Sequence, residues 1–156
     1  MWLKRIGIGF GLLLAAIAVF LLVRSEPLGP LAGGKLGGAE LASFANWDEC
    51  QNHFTVYVEV QPEDPHSVTT LCFQYQGDLI IPAQGGSEKS WPAMVLKDPR
   101  VRIKMGEQIY LGHATRAQDI SIETLQSQVV EKYPKFADAQ PDDIEDVWLF
   151  RVTKRP

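Results

Sequence analysis

The uncharged apolar run from Ile6 to Val23 constrains this chain more than any other feature, because 18 such residues in a row have few ways to fold. As a helix the run is about 27 Å long, close to the hydrocarbon thickness of a thin bilayer. Lys4 and Arg5 stand before it and only Arg24 immediately after, so the charge bias sets the N-terminus inside and the rest of the chain outside. A cleaved signal peptide is the rival reading, but its apolar region is usually shorter, and no small-x-small triplet follows in Arg24-Ser25-Glu26-Pro27. The expectation is a single-pass membrane protein: residues 1–23 as anchor, the N-terminus cytoplasmic, and the domain on the outer (periplasmic or extracellular) side.

Residues 24–45 contain Pro27, Gly29, Pro30, Gly33, Gly34, Gly37 and Gly38 without helical or strand periodicity, which reads as a flexible linker. Residues 46–156 are then one domain. Taking Lys4 and Arg5 from the total of 15 leaves 13 Lys+Arg against 19 Asp+Glu beyond the apolar run. That acidic balance argues against nucleic acid as a partner. Two cysteines exclude a cysteine-rich scaffold, and the three histidines, His53, His66 and His113, have no metal-binding spacing.

From His53 the pattern turns to period two: Phe54, Val56, Val58 and Val60 alternate with Thr55, Tyr57, Glu59 and Gln61, as in a half-buried strand. Ser67 to Gln76 reads as a second strand and Leu79 to Ala83 as a third, with Gly77-Asp78 between them as a turn. Trp91 to Leu96 reads as a short helix capped by Ser87 or Ser90 and stopped at Asp98-Pro99. Val101, Ile103 and Met105 alternate with Arg100, Arg102 and Lys104, and a Gly106-Glu107 turn leads into a strand over Gln108 to Thr115. Ile122, Leu125, Val129 and Tyr133 recur at helical spacing over residues 121–133, and Val147 to Val152 closes the chain as a strand. The order β-β-β-α-β-β-α-β with hairpin-length connections predicts a mostly β antiparallel barrel with two accessory helices. Six Lys+Arg between Ser87 and Arg116, against Glu88, Asp98 and Glu107, make a locally basic segment suited to a small anion; the same charges also serve as a solvated strand face.

The stretch from Ile80-Ile81-Pro82-Ala83-Gln84-Gly85-Gly86-Ser87-Glu88-Lys89-Ser90-Trp91 through Lys97-Asp98-Pro99-Arg100-Val101 resembles the deazaflavin-dependent nitroreductase family, within the pyridoxamine-phosphate-oxidase-like split β-barrels. The resemblance covers residues 54–116. It implies a six-stranded Greek-key split barrel, commonly a homodimer, that binds FMN or a deazaflavin coenzyme and reduces a small organic acceptor. It also implies phosphate contacts from the loop before the helix. In this chain those positions are Gly85, Gly86, Ser87, Lys89 and Ser90, with Lys97 and Arg100 as further cations and Trp91 as a core anchor or a platform for the ring system. Glycines allow close backbone approach, and the free N–H groups of a helix start favour an anion. Where the family has a basic Thr-Gly-Arg-Lys-Ser-Gly-like loop, this chain has Pro62-Glu63-Asp64-Pro65-His66-Ser67, which keeps open a non-catalytic ligand-binding or interaction module.

Flavin chemistry needs no catalytic triad, since the cofactor carries the hydride and the protein supplies anchoring and at most a proton donor. Tyr110 and His113 are the candidate donors. For the cysteines two readings stand. A domain beyond the membrane permits a Cys50–Cys72 disulfide, whereas simple hairpin register pairs position 72 with about 56 and leaves Cys72 as a small core residue.

Overall fold

The computed structural model describes residues 12–20, 25–138 and 146–155. Of the apolar run, residues 12–20 are helical (α1) and exposed, while residues 6–11 and 21–23 lie outside the described residues. Among the described residues no helix is long and apolar enough to cross a membrane, so the single-pass assignment and the outer-side placement are corrected here.

The sheet has eight strands, not six: β1 Ala39–Glu40, β2 Val56–Val60, β3 His66–Thr70, β4 Phe73–Tyr75, β5 Asp78–Gln84, β6 Arg100–Met105, β7 Gln108–Arg116 and β8 Val147–Lys154. Two helices accompany it, α2 Ser90–Lys97 and α3 Gln126–Lys132. The order across the sheet is β3-β2-β6-β7-β8-β5-β4, with β1 parallel to β7 and the other pairs antiparallel. One of the extra strands arises because the expected strand from Ser67 to Gln76 bends at Leu71 and Cys72. Its first half pairs with β2 and its second half with β5. The two ends of the strand order are therefore consecutive pieces of one segment, which forces the sheet to curl until its ends meet. Thr70 Oγ1 donates to the Pro82 carbonyl across that junction, at 2.8 Å.

The other extra strand, β1, belongs to a strap made by the Gly/Pro-rich segment, residues 25–41. Gly33 and Ser67 exchange backbone hydrogen bonds of 2.8 and 2.9 Å, and Ala39 and Leu41 donate to Glu107 and Ile109 carbonyls at 3.0 Å. The basic face of β6 is what the strap covers. Lys104 pairs with Glu26, and the Arg102 guanidinium meets Glu59 at 2.5 Å, Glu40 at 2.8 Å and the Leu36 carbonyl at 3.2 Å. Leu36, Glu59 and Lys104 are buried as a result. A sequence without periodicity thus packs because its partners are ionic and backbone groups rather than an apolar stripe.

Inside the curl, Val56, Val58, Leu79, Ile81, Val101, Ile103, Tyr110, Phe150 and Val152 form the main core with Trp91 and Val95 of α2. A second core, Phe73, Ile80, Leu125, Tyr133 and Leu149, lies outside the barrel beneath the segment from Ala117 to Phe136. The helix expected over residues 121–133 is regular only in α3; Ser121 caps a turn at Thr124 before it, and Pro134 begins a 3-10 turn, Pro134–Phe136, after it. Cys50, in the 3-10 turn Asp48–Asn52, is bonded to Cys72 at the strand bend, with Cα atoms 6.3 Å apart. The bend removes Cys72 from the β2 ladder, so hairpin register no longer dictates its neighbour.

Candidate functional site

A cleft of about 890 Å³ opens beside the bend. One wall is strand: Thr69 and Thr70 of β3, Phe73 of β4, and Pro82 to Gln84 at the end of β5. The other is the outer segment, with Ile122, Val129, Tyr133 and Phe136, and Lys89 and Trp91 close the rim. The volume is in the range of sites for drug-sized ligands and cofactors. The outer wall stands where it does because its apolar residues bury against Phe73, Ile80 and Leu149. Its orientation is fixed by the Tyr133 hydroxyl, which accepts from the Cys72 N–H at 3.1 Å and lies 2.8 Å from the Cys72 carbonyl and 2.9 Å from that of Phe54. Burial pushes the Tyr133 phenol above its usual range.

Two lysines reach the cleft. Lys89, the N-cap residue of α2, is exposed, and no partner of its ammonium is seen among the described residues. Lys135 Nζ lies 4.8 Å from the centre of the Phe54 ring and 5.0 Å from that of Phe136. Thr69 Oγ1 is buried without a hydrogen-bond partner, which is costly unless a ligand or solvent satisfies it. Aromatic and aliphatic walls, an orphan hydroxyl and two cations suit a flat apolar ring system with an anionic substituent.

The other expected site residues divide. Trp91 lines the cleft and packs against Phe150 with the rings tilted and centroids 5.2 Å apart, so it is core anchor and cleft wall at once. Gly85 takes a left-handed turn at φ 64°, and its carbonyl accepts the N–H groups of Glu88 and Lys89. Gly86 is glycine because any Cβ there would overlap the Trp148 ring, which Arg116 covers from 3.6 Å. Ser87 is committed to a carboxylate of the chain itself: its N–H and hydroxyl donate to Asp146 at 3.0 and 2.5 Å. Those bonds hold the Asp146 carboxyl below its usual range. Ser90 and Lys97 are exposed and outside the cleft lining.

Arg100 is bound by Asp98 at 2.6 Å and by Glu63, from the acidic loop, at 3.4 Å, and it too is outside the lining. The Arg100 hydrogen bonds keep Asp98 well ionised, and Asp98 in turn raises the guanidinium. Tyr110 points into the main core, donating to Gln108 at 3.0 Å, with burial raising its phenol. His113 is half-buried on β7 outside the lining. Sequence reasoning missed Thr69, Gln84, Lys135 and Phe136. The helical spacing did flag Val129 and Tyr133, but as packing residues, since nothing local says that β3 faces them.

The curled antiparallel sheet with its loop, short helix and hairpin is a split-barrel fold that solved structures share. Solved structures with this fold include a putative pyridoxamine 5′-phosphate oxidase from Listeria innocua, at 18% identity over 70% of this chain and 90% of that one, TM-score 0.53. The heme storage protein HutZ from Vibrio cholerae matches at 16% identity over 70% and 87%, TM-score 0.54. An F420-H2 dependent reductase matches at 20% identity over 65% and 95%, TM-score 0.50. No family profile and no curated protein matches the sequence.

Proposed function

We propose that the cleft binds a phosphate-bearing flavin, FMN or a deazaflavin, and that the protein is an oxidoreductase acting on a small organic acceptor as a homodimer. The observation that carries this reading is the conjunction, in one cleft, of Lys89 without a partner among the described residues and the orphan hydroxyl of Thr69 between aromatic walls. The solved neighbours named for pyridoxamine-phosphate oxidation and F420-H2-dependent reduction support the same chemistry. A bound flavin supplies the hydride transfer. The chain's own part is then to hold the phosphate at Lys89, to flank the rings with Trp91, Tyr133 and Phe136, and to keep water from the ring face. Ser87 is engaged with Asp146, and Arg100 with Asp98 and Glu63, so the proposal takes Lys89 and Lys135 as the phosphate contacts.

The second reading, a ligand-binding module without redox chemistry, is favoured by one observation. The basic face of β6 is neutralised by the chain's own Glu26, Glu40, Glu59, Glu63 and Asp98.

Titration of the full chain by flavin fluorescence quenching separates the two. FMN is expected to bind, and Lys89→Ala to weaken it by about 1.5–3 kcal/mol, roughly 10- to 150-fold. Riboflavin is expected to bind more weakly and to ignore the substitution. Failure of both FMN and a deazaflavin to bind at high micromolar concentration overturns the oxidoreductase reading, and haemin binding in their place supports the module. Sedimentation of the loaded protein checks the dimer.

A further inference from the structure

The Cys50–Cys72 disulfide is fully buried, and it carries an unusual neighbour. Lys132 Nζ, reaching in from α3, stands 3.1 Å from Cys50 Sγ and 3.1 Å from Cys72 Sγ, and it donates to the Cys50 and Cys72 carbonyls at 2.5 and 2.7 Å. A lysine stem is long enough to return its ammonium to water. Here the ammonium is held half-buried, where desolvation brings its pKa down to about 8.

None of the charged groups around it serves as a counter-ion. In the 3-10 turn packed against α3, Asp48 bonds Asn46 and Gln74, and Glu49 bonds Asn52 and His53. On the outer segment itself Glu131 is exposed, Lys135 lies over aromatic rings, and Tyr133 is tied to Cys72 and Phe54. Among the described residues no carboxylate lies within ion-pair distance of Lys132. A buried cation without an anion is costly. The state of this site that supplies an anion is the reduced one, because a thiolate would be formed against the ammonium.

We propose that Cys50–Cys72 is a redox-active disulfide, exchanged by a dithiol reductant, in which the Lys132 ammonium holds the sulfur left as thiolate. In the exchange a reductant thiolate attacks one sulfur, the S–S bond breaks, and its electron pair stays on the other sulfur. The second thiol of the reductant, deprotonated, then attacks the reductant's own sulfur in the mixed disulfide, the protein cysteine leaves with that bond's electron pair, and the reductant departs as a disulfide two electrons poorer. Of its two protons, one ends on a cysteine and one in solvent, so the product is one thiol and one thiolate. Equal distances from Nζ to the two sulfurs mean that either one can be the thiolate. Both sulfurs are buried, so exchange passes through an opening of the overlying segment, and the equilibrium rather than the rate reports the effect of Lys132. The proposal involves no ligand in the cleft and stands or falls apart from the flavin reading.

The full chain is equilibrated at pH 7 in dithiothreitol buffers of graded redox ratio, acid-quenched, alkylated and counted for thiols. Wild type is expected to be at least about tenfold easier to reduce than Lys132→Met, equivalent to about 30 mV for a two-electron couple. Lys132→Arg, which keeps the charge, is expected to retain most of that difference. In the folded, reduced chain, pH-dependent alkylation is expected to titrate one thiol clearly below the free value of about 8.5. Equal poise in wild type and Lys132→Met, or a thiol titrating at or above the free value, overturns the proposal. Loss of the native circular dichroism on reduction overturns it too, because the bridge is then structural. If Lys132→Met fails to fold, the thiol titration of wild type decides alone.

Discussion

Replacing Arg102 by Met should cost far more stability than replacing Arg100, although both stand on the same face of β6. Arg100 is 42% exposed and its partners Glu63 and Asp98 are 85% and 26% exposed, so solvent screens these pairs and their loss is expected to change stability little. Arg102 is 11% exposed and its partner Glu59 only 3%. After Arg102→Met, Glu59 retains the Leu36 N–H, at 2.6 Å, but no cation, and stranding a buried charge in this way costs about 3–5 kcal/mol. That is a large part of a typical domain's stability, about 5–15 kcal/mol. Urea unfolding followed by tryptophan fluorescence gives both numbers, with the slope of the transition checking that the folded state stays compact. The double variant Glu59→Gln/Arg102→Met should recover much of the loss, because the stranded charge is gone. A cost below about 1 kcal/mol for Arg102→Met, or no recovery in the double variant, would refute the claim that the strap rests on a buried ion pair.

Tyr133→Phe leaves the buried Cys72 N–H without its acceptor and should destabilise by about 1–3 kcal/mol, with faster amide exchange across α3. Gly86→Ala drives a methyl group into Trp148 and should cost about 1–3 kcal/mol, with a shifted tryptophan emission. The Lys132 pKa, lowered to about 8 by desolvation, means that between pH 8 and 10 the unfolded chain binds more protons than the folded one. Stability should therefore rise with pH across that window and stop doing so in Lys132→Met, as read by thermal unfolding at each pH. Above pH 10 the raised phenols of Tyr110 and Tyr133 work in the opposite direction, because the folded state holds their protons longer.

What was legible in the sequence was local. Alternation marked β2 and β6, and strand runs set off by turns marked β5, β7 and β8, within a residue or two, while Asp98-Pro99 marked the end of α2. The strand of Ser67 to Gln76 was visible as a strand but not as two, because the bend at Leu71 and Cys72 is set by which partner each half finds. The strap was invisible for a related reason: glycines and prolines signal irregular backbone, and only the folded sheet shows that Glu26, Glu40 and the Leu36 carbonyl meet the cations of β6. Among the residues lining the cleft, Lys89 and Trp91 were singled out by the loop-and-helix stretch that carries the resemblance. Thr69 and Lys135 were not, since they come together only when two segments far apart in sequence pack face to face.

The bend that makes β3 and β4 also settles what this chain presents to its neighbours in a crowded solution. A sheet normally ends in two rows of unpaired backbone groups, each a template on which another chain can add a strand. Here the β3 end is met by Gly33, which takes the Ser67 N–H and carbonyl, and the β4 end is crossed by the Asp48–Asn52 turn through the Cys50–Cys72 bond and the contact of Gln74 with Asp48. Each template is covered in part by a piece of the same molecule, one through a single backbone pair and the other through side chains. Cutting the strap away would uncover one of them, and a chain so trimmed is expected to associate edge to edge into fibrils even where its core remains folded.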